Sequence, residues 1–286
     1  MKTNKKVKGN PQIIKGCLDI VWFVIIFYFI QLLFQACASL AYTLHAGSFT
    51  ARLFLDNLVH VAYSGKWLAA ISVASSLVTI AVFTRLRWTP VSNSYLLSRP
   101  WISLIWVAIL SLGTILPAEW IYEQLQISMP ESYEQLFEGV MSEPWGYLAI
   151  GVLAPVAEEV VFRGAILRVL LRLFSHKWHW AAIALSAIVF GLVHGNAAQG
   201  IHAFIIGLLL GWMFYRTDSI VPGIVMHWVN NSVAYVMYNI MPDMADGKLI
   251  DLFHGSQKMM VGGLFFSFCI LIPALFQLAI RLKKAE

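Results

Sequence analysis

The sequence predicts an all-α protein, a polytopic transmembrane helix bundle of about eight spans with both termini in the cytoplasm. Of its 286 residues, 59% are hydrophobic and 12% are charged, and the mean hydropathy is +0.72. A soluble domain carries about 25% charged residues and 45–50% apolar ones. The composition therefore indicates a multi-pass protein of the cell membrane that is surrounded by the lipid bilayer.

Apolar segments mark the expected spans, because a helix needs about 20 mainly apolar residues to cross the hydrocarbon core of a bilayer. Several of these segments are short or carry polar residues, so a count of seven spans is an alternative. The eight segments are 18–44, 66–84, 101–118, 145–173, 180–196, 199–215, 219–240 and 259–280.

The positions of lysine and arginine support this topology, because membrane proteins collect these residues on their cytoplasmic side. That bias also accounts for the net charge of +5, so the sequence predicts no nucleic acid partner. The exceptions among the 20 basic residues are Arg52, Lys66, Lys248 and Lys258 on the outer side and Arg163 within a span.

Three charged residues lie in the fourth segment, within the stretch LAPVAEEVVFRG. Glu159 and Arg163 are spaced i,i+4, so they share a helix face and can pair, which lowers the cost of charges at membrane depth. Glu158 lies about 100° around the helix from Glu159 and has no local cation. One interpretation is a buried ion pair that only fixes packing, but an unpaired carboxylate at depth is typical of a reaction site or an ion pathway.

The fifth and seventh segments also carry polar residues. The fifth ends in FGLVH with His194, and HWVNN places His227 and Asn231 on one face of the seventh. The alternatives are an interfacial role for His194 and inter-helix hydrogen bonding for the other two. His202 is a weaker candidate, expected at the outer surface. Depth counting puts His194 near the outer end and His227 nearer the inner end, so only tilted or half-buried helices would bring them together.

Taken together, these groups suit hydrolysis of a peptide bond without a covalent intermediate. A desolvated glutamate can act as general base on a water molecule that a histidine also holds. A second imidazole and an amide N–H can donate to the oxyanion of a tetrahedral intermediate.

The same residues resemble a known family. EEVVFR matches E-E-x-x-x-R, FGLVH matches F-x-x-x-H and HWVNN matches H-x-x-x-N, in that order on consecutive apolar helices. The pattern is similar to the CPBP intramembrane proteases, named for CAAX proteases and bacteriocin-processing enzymes and also called the Abi or Rce1-like family. The resemblance covers residues 144–238.

The resemblance implies an intramembrane endopeptidase whose substrate is a protein or peptide in or at the membrane. By position in the motifs, Glu158 would activate the water molecule and His194 would hold it. His227 and Asn231 would stabilise the oxyanion.

The two remaining residues of the first motif, Glu159 and Arg163, would brace the site and help to bind substrate. No cofactor is favoured by this resemblance. A divalent metal such as zinc is the alternative, held by Glu158, His194 and His227 with one open position. The H-E-x-x-H motif of helical zinc proteases is absent from the sequence.

Four regions follow from these patterns. Residues 1–17 form a basic cytoplasmic N-terminus, and 18–143 hold accessory transmembrane helices and an acidic outer loop. Residues 144–240 form the catalytic core, and 241–286 form an outer loop and the final transmembrane helix.

Two functions of other classes compete with proteolysis. One is a non-proteolytic regulator or immunity protein of the same family that binds partner membrane proteins. The other is a proton-coupled transporter in which Glu158, His194 and His227 relay protons. The transporter is disfavoured because the sequence has no internal repeats or paired broken helices.

Overall fold

The computed structural model describes residues 11–45, 47, 49–241 and 248–284. Within these residues the protein is helical and has no β-strand, which confirms the predicted fold class.

The α-helices occur throughout the described part of the chain. They are α1 (Pro11–His45), α2 (Ala51–Tyr63), α3 (Gly65–Arg85), α4 (Asn93–Leu97), α5 (Trp101–Gln124), α6 (Glu131–Met141), α7 (Ala154–Glu158), α8 (Arg168–Leu173), α9 (His179–Leu192), α10 (Ala197–Thr217), α11 (Val221–Ile240) and α12 (Gln257–Arg281). Two π-helical segments, π1 (Tyr147–Leu153) and π2 (Glu159–Leu167), adjoin α7, and 3-10 turns occupy His176–Trp178 and Asp251–Phe253.

Five helices in the described residues are long and apolar enough to cross a membrane by length and composition, namely α1, α3, α5, α10 and α12. They support a helical membrane protein. The other three predicted segments are also helical, but α9 has only 14 residues and the fourth segment is divided into π and α pieces. The count of eight spans and the cytoplasmic placement of both termini stay predictions.

The acidic segment between the third and fourth spans is more helical than expected. Helix α5 continues through Pro117 to Gln124, and the amphipathic helix α6 follows it. Tyr133, Phe137 and Val140 of α6 share one face, at spacings of four and three residues, and line a cavity beneath the helix. The residues that line this cavity include none of the glutamates of α6.

The fourth segment changes its hydrogen-bonding pattern at the point where its charged residues begin. Pro155 has no backbone N–H to donate, and it stands near the start of the short helix α7 that separates π1 from π2. π-helical turns are rare and often occur at functional sites. Every residue of π2 is buried, so this segment forms the centre of the molecule.

Close helix contacts hold π2 in place. Phe162 packs against Phe27 of α1 and Phe190 of α9, with ring centroids 5.6 and 5.0 Å apart. The Thr89 hydroxyl donates to the Val160 carbonyl at 2.5 Å. A Cβ at Gly164 would lie 2.1 Å from the Thr89 side chain, so the contact requires glycine. The core therefore surrounds the charged residues of π2 on all sides.

Candidate active site

A buried ion pair forms the base of the site. The Arg163 Nη1 atom donates to Glu159 Oε1 at 2.8 Å, and the two side chains are 1% and 0% exposed. The Arg163 guanidinium also lies 4.3 Å from the centroid of the Phe190 ring. The i,i+4 spacing thus brings these two residues together, and each charge offsets part of the cost of burying the other.

His227 of α11 lies between the two glutamates. Its Nε2 atom is 3.6 Å from Glu158 Oε2, and its Nδ1 atom is 3.4 Å from Glu159 Oε1. The imidazole is 8% exposed, whereas 21% of the Glu158 side chain is exposed. Arg163, Glu159, His227 and Glu158 therefore form one chain of groups that runs from the core toward an open space.

The contacts of His227 with the glutamates are ion-pair distances and not hydrogen bonds. Its Nδ1 atom has no hydrogen-bond partner among the described residues, and the 3.6 Å between Nε2 and Glu158 Oε2 is longer than a hydrogen bond. Two carboxylates, which only accept hydrogen bonds, therefore flank the imidazole.

His194 contacts Phe190, a residue that also contacts His227. Its Nδ1 atom donates to the Phe190 carbonyl at 2.8 Å, so Nε2 is left as an acceptor. The Phe190 ring centroid is 5.1 Å from that of His194 and 5.8 Å from that of His227. Among the described residues, His194 has no ion-pair contact with either carboxylate.

The length of α9 explains how the two histidines approach one another despite their different depths in the sequence. Its 14 residues span about 21 Å at 1.5 Å per residue, less than the roughly 30 Å hydrocarbon core. A helix this short can end at membrane depth. His194, which follows its last turn, then lies beside the same Phe190 ring as His227.

Asn231 is held by two neighbours. Its Nδ2 atom donates to the Ile150 carbonyl of π1 at 3.0 Å, and its Oδ1 atom accepts from Asn230 Nδ2 at 3.3 Å. An amide nitrogen has two hydrogens, so one of them is still able to donate elsewhere. Asn230 also lies 3.5 Å from His202 Nε2.

His202 is a neighbour of Asn230. The sequence analysis treated it as a weaker candidate at the outer surface, and the structure shows it partly buried on α10, with its Nε2 atom 3.5 Å from Asn230 Nδ2 of α11. An ionisable side chain within an apolar helix is by default a candidate for function.

The alternative metal ligands do not form a complete site in this arrangement. Glu158 and His227 approach each other, but His194 does not complete a set of three ligands with them in the described part of the chain. Across the described ranges, no three His, Cys, Asp or Glu side chains are placed to hold a metal ion. We therefore derive no step through a metal.

Glu158 opens onto a cavity of about 330 Å³ whose lining residues come from α1, α3, α6, π1, α7 and α10. It is the only charged residue among the described residues that line this space. His194 and His227 do not line it. The cavity gives water and substrate access to the Glu158 carboxylate.

Comparison with known proteins identifies the segment that carries these residues. Residues 140–233 match the model of the Rce1-like family, described as type II CAAX prenyl endopeptidase Rce1-like. The match includes every motif residue from Glu158 to Asn231 and confirms the predicted resemblance. Helices α1 to α5 lie outside it. Comparisons with curated proteins and with solved structures gave no match.

Proposed function

We propose that this Rce1-like segment makes the protein an intramembrane endopeptidase, which hydrolyses a peptide bond of a protein or peptide in or at the membrane. The family match supports a CAAX-type endopeptidase in general. The observation that carries the finer proposal is the position of Glu158, which lies 3.6 Å from His227 and lines an accessible cavity.

In the proposed reaction, Glu158 takes a proton from a water molecule that enters through the cavity, and the hydroxide attacks the carbonyl carbon of the scissile bond. The carbonyl oxygen becomes an oxyanion, and the carbon–nitrogen bond then breaks. Glu158 returns its proton to the leaving amine, so the carboxylate is regenerated. One water molecule is consumed, and one acid and one amine are formed.

The other motif residues have supporting roles in this proposal. His227 Nε2–H and the second amide hydrogen of Asn231 donate to the oxyanion. His194 Nε2, which is free because Nδ1 binds the Phe190 carbonyl, accepts from the attacking water. The Glu159–Arg163 pair orients His227 through its contact with Nδ1. Zinc is the alternative activator, and metal analysis of the purified protein distinguishes the two.

Glu158→Gln tests the proposal. The amide keeps the size of the side chain but cannot take a proton, so we expect cleavage to fall by about 100- to 10,000-fold. The measurement is the appearance of new peptide N-termini in membranes from cells that express the wild-type or variant protein. Glu138→Gln, on the exposed side of α6, is the matched control and should leave cleavage unchanged.

Folding of both variants is checked by thermal unfolding in detergent. If folded Glu158→Gln protein retains the cleavage products, the glutamate mechanism is wrong. If no product depends on the protein but its cellular effect persists in the variant, a regulator or immunity protein replaces the protease.

A further inference from the structure

The wall of the cavity on α3 is a row of hydroxyl groups. Ser72, Ser75, Ser76 and Thr79 follow one another at helical spacing and all line the cavity. Thr79 is 1% exposed and Ser76 is 8% exposed. Their positions in the cavity wall direct what little surface they expose toward the space that leads to Glu158.

Two of these hydroxyls have no partner. Buried serine and threonine in helices usually donate to the carbonyl four residues earlier, and Thr84 on the same helix does so to the Ile80 carbonyl at 2.6 Å. Thr43 and Thr217 form the same bond. Neither Thr79 nor Ser76 has a hydrogen-bond partner in the described part of the chain. Neither hydroxyl oxygen is among the fully enclosed polar atoms that lack a partner, so both contact the open space of the cavity and can bond to a ligand there.

Helix α1, which also lines the cavity, adds side-chain amides. Gln31 and Gln35 are one turn apart and line the same space. Gln35 donates to the Leu58 carbonyl at 3.4 Å, whereas Gln31 has no hydrogen-bond partner among the residues with described positions. Donors and acceptors thus come from two neighbouring helices that both line the cavity. The main chain of an extended peptide, with alternating N–H and C=O groups, matches such an arrangement.

The cavity has no counter-charge for an anion. Its described lining includes the Glu158 carboxylate and neither lysine nor arginine, and the guanidinium of Arg163 is already paired with Glu159. A free α-carboxylate or an acidic side chain in this space would be buried without a cation, beside a like charge. That burial is costly.

The length of the hydroxyl row indicates how many peptide residues can bind along it. From Ser72 to Thr79 the helix rises by about 10 Å at 1.5 Å per residue. An extended peptide covers that distance with about three residues at about 3.3 Å each.

We propose that this cavity binds an extended, uncharged stretch of about three substrate residues that is internal to its chain, with its main chain hydrogen-bonded to Thr79, Ser76 and Gln31. The inference rests on the proposed protease function and names its substrate class. Because α1 and α3 lie outside the matched segment 140–233, these accessory helices select the substrate and the Rce1-like segment cleaves it.

The test uses the full chain in phosphatidylcholine liposomes. The probes are mixtures of internally quenched peptides with a shared apolar anchor, randomised over uncharged residues. One mixture continues past the random segment and ends in an amide, a second ends there as a free acid, and a third carries aspartate within the segment. We expect kcat/KM for the first to exceed the others by about tenfold or more, as an unpaired buried carboxylate predicts.

The outcomes separate the two proposals. If the free-acid or aspartate mixture is cleaved as well as the amide mixture, and Glu158→Gln removes the cleavage, the protease proposal stands and the inference fails. If Glu158→Gln abolishes the cleavage of none of the mixtures, the proposed function fails, and the inference that rests on it fails too.

A pair of variants on α3 tests the binding contact. Thr79→Val keeps the side-chain shape but removes the hydroxyl, so KM for the amide mixture should rise about five- to tenfold with kcat unchanged. Thr84→Val, whose hydroxyl is already bonded within α3, should change KM by less than about twofold. Equal changes in KM for the two variants would contradict a contact between Thr79 and the substrate. Ser76→Ala is the second test if Thr79→Val does not fold.

Discussion

At the residue scale, the guanidinium of Arg163 bonds to one oxygen of Glu159, while its Nε and Nη2 atoms have no hydrogen-bond partner among the described residues. The Phe190 ring at 4.3 Å supplies a cation–π contact, which is worth about 2 kcal/mol when it is desolvated. Hydrophobic residues of similar volume often stabilise a core as well as a buried ion pair does. The pair is therefore better explained by its contact with His227 than by stability.

Arg163→Met tests how strongly the stability of the protein depends on pairing the Glu159 carboxylate. The change leaves the Glu159 carboxylate buried without a cation, and we expect the free energy of unfolding to fall by about 3–5 kcal/mol. Thermal unfolding of the purified protein in detergent measures the change.

Arg172→Met, on the exposed face of α8, is the control and should shift stability by no more than about 0.5 kcal/mol. Adding Glu159→Gln to Arg163→Met should restore much of the lost stability, because the unpaired charge is then removed. A double variant as unstable as the single one would contradict the pairing argument.

At the scale of helices, the site depends on how closely α11 approaches π2. A Cβ at Gly223 would lie 2.3 Å from Glu159 Oε2, so the first turn of α11 can meet the carboxylate only with glycine there. The same turn determines the position of His227 one turn later on α11. The contact between these two elements therefore sets the distance between His227 and the glutamates.

Gly223→Ala should push the Glu159 side chain away from His227. We expect a loss of about 1–3 kcal/mol of unfolding free energy from overpacking, together with slower cleavage. Thermal unfolding and the cleavage rate are the measurements. Gly262→Ala on α12, where a Cβ would meet nothing within 4 Å, is the matched control, and a helical Ala there should stabilise by up to about 1 kcal/mol. Equal effects at the two glycines would contradict the close contact.

At the scale of the whole molecule, the predicted topology places α6 outside and the turn after α8 in the cytoplasm. Labelling of single cysteines tests this arrangement. In a background without native cysteines, Glu138→Cys should react with an impermeant maleimide in intact cells, whereas Lys177→Cys should react only after permeabilisation. Both positions are exposed. The reverse pattern would invert the predicted orientation. The cysteines to be replaced by serine are Cys17, Cys37 and Cys269.

Much of the site could be predicted because its residues follow local patterns. The i,i+4 spacing brings Glu159 and Arg163 together whichever helices surround them, and the structure shows their contact. The environment of His202 could not be predicted this way, because its contact with Asn230 joins two helices. Depth counting did not bring His194 and His227 together, whereas the structure places both imidazoles beside the Phe190 ring.

Composition, apolar segments and three short motifs determined by themselves that this is an all-helical membrane protein with an Rce1-like segment. These features are local in the chain, so hydropathy and helical spacing express them directly. Only the tertiary structure decided that His227 stands between Glu158 and Glu159, and that α1 and α3 complete a cavity in front of Glu158. Such contacts depend on how helices distant in sequence pack together, and helix packing leaves no fixed spacing in a single sequence.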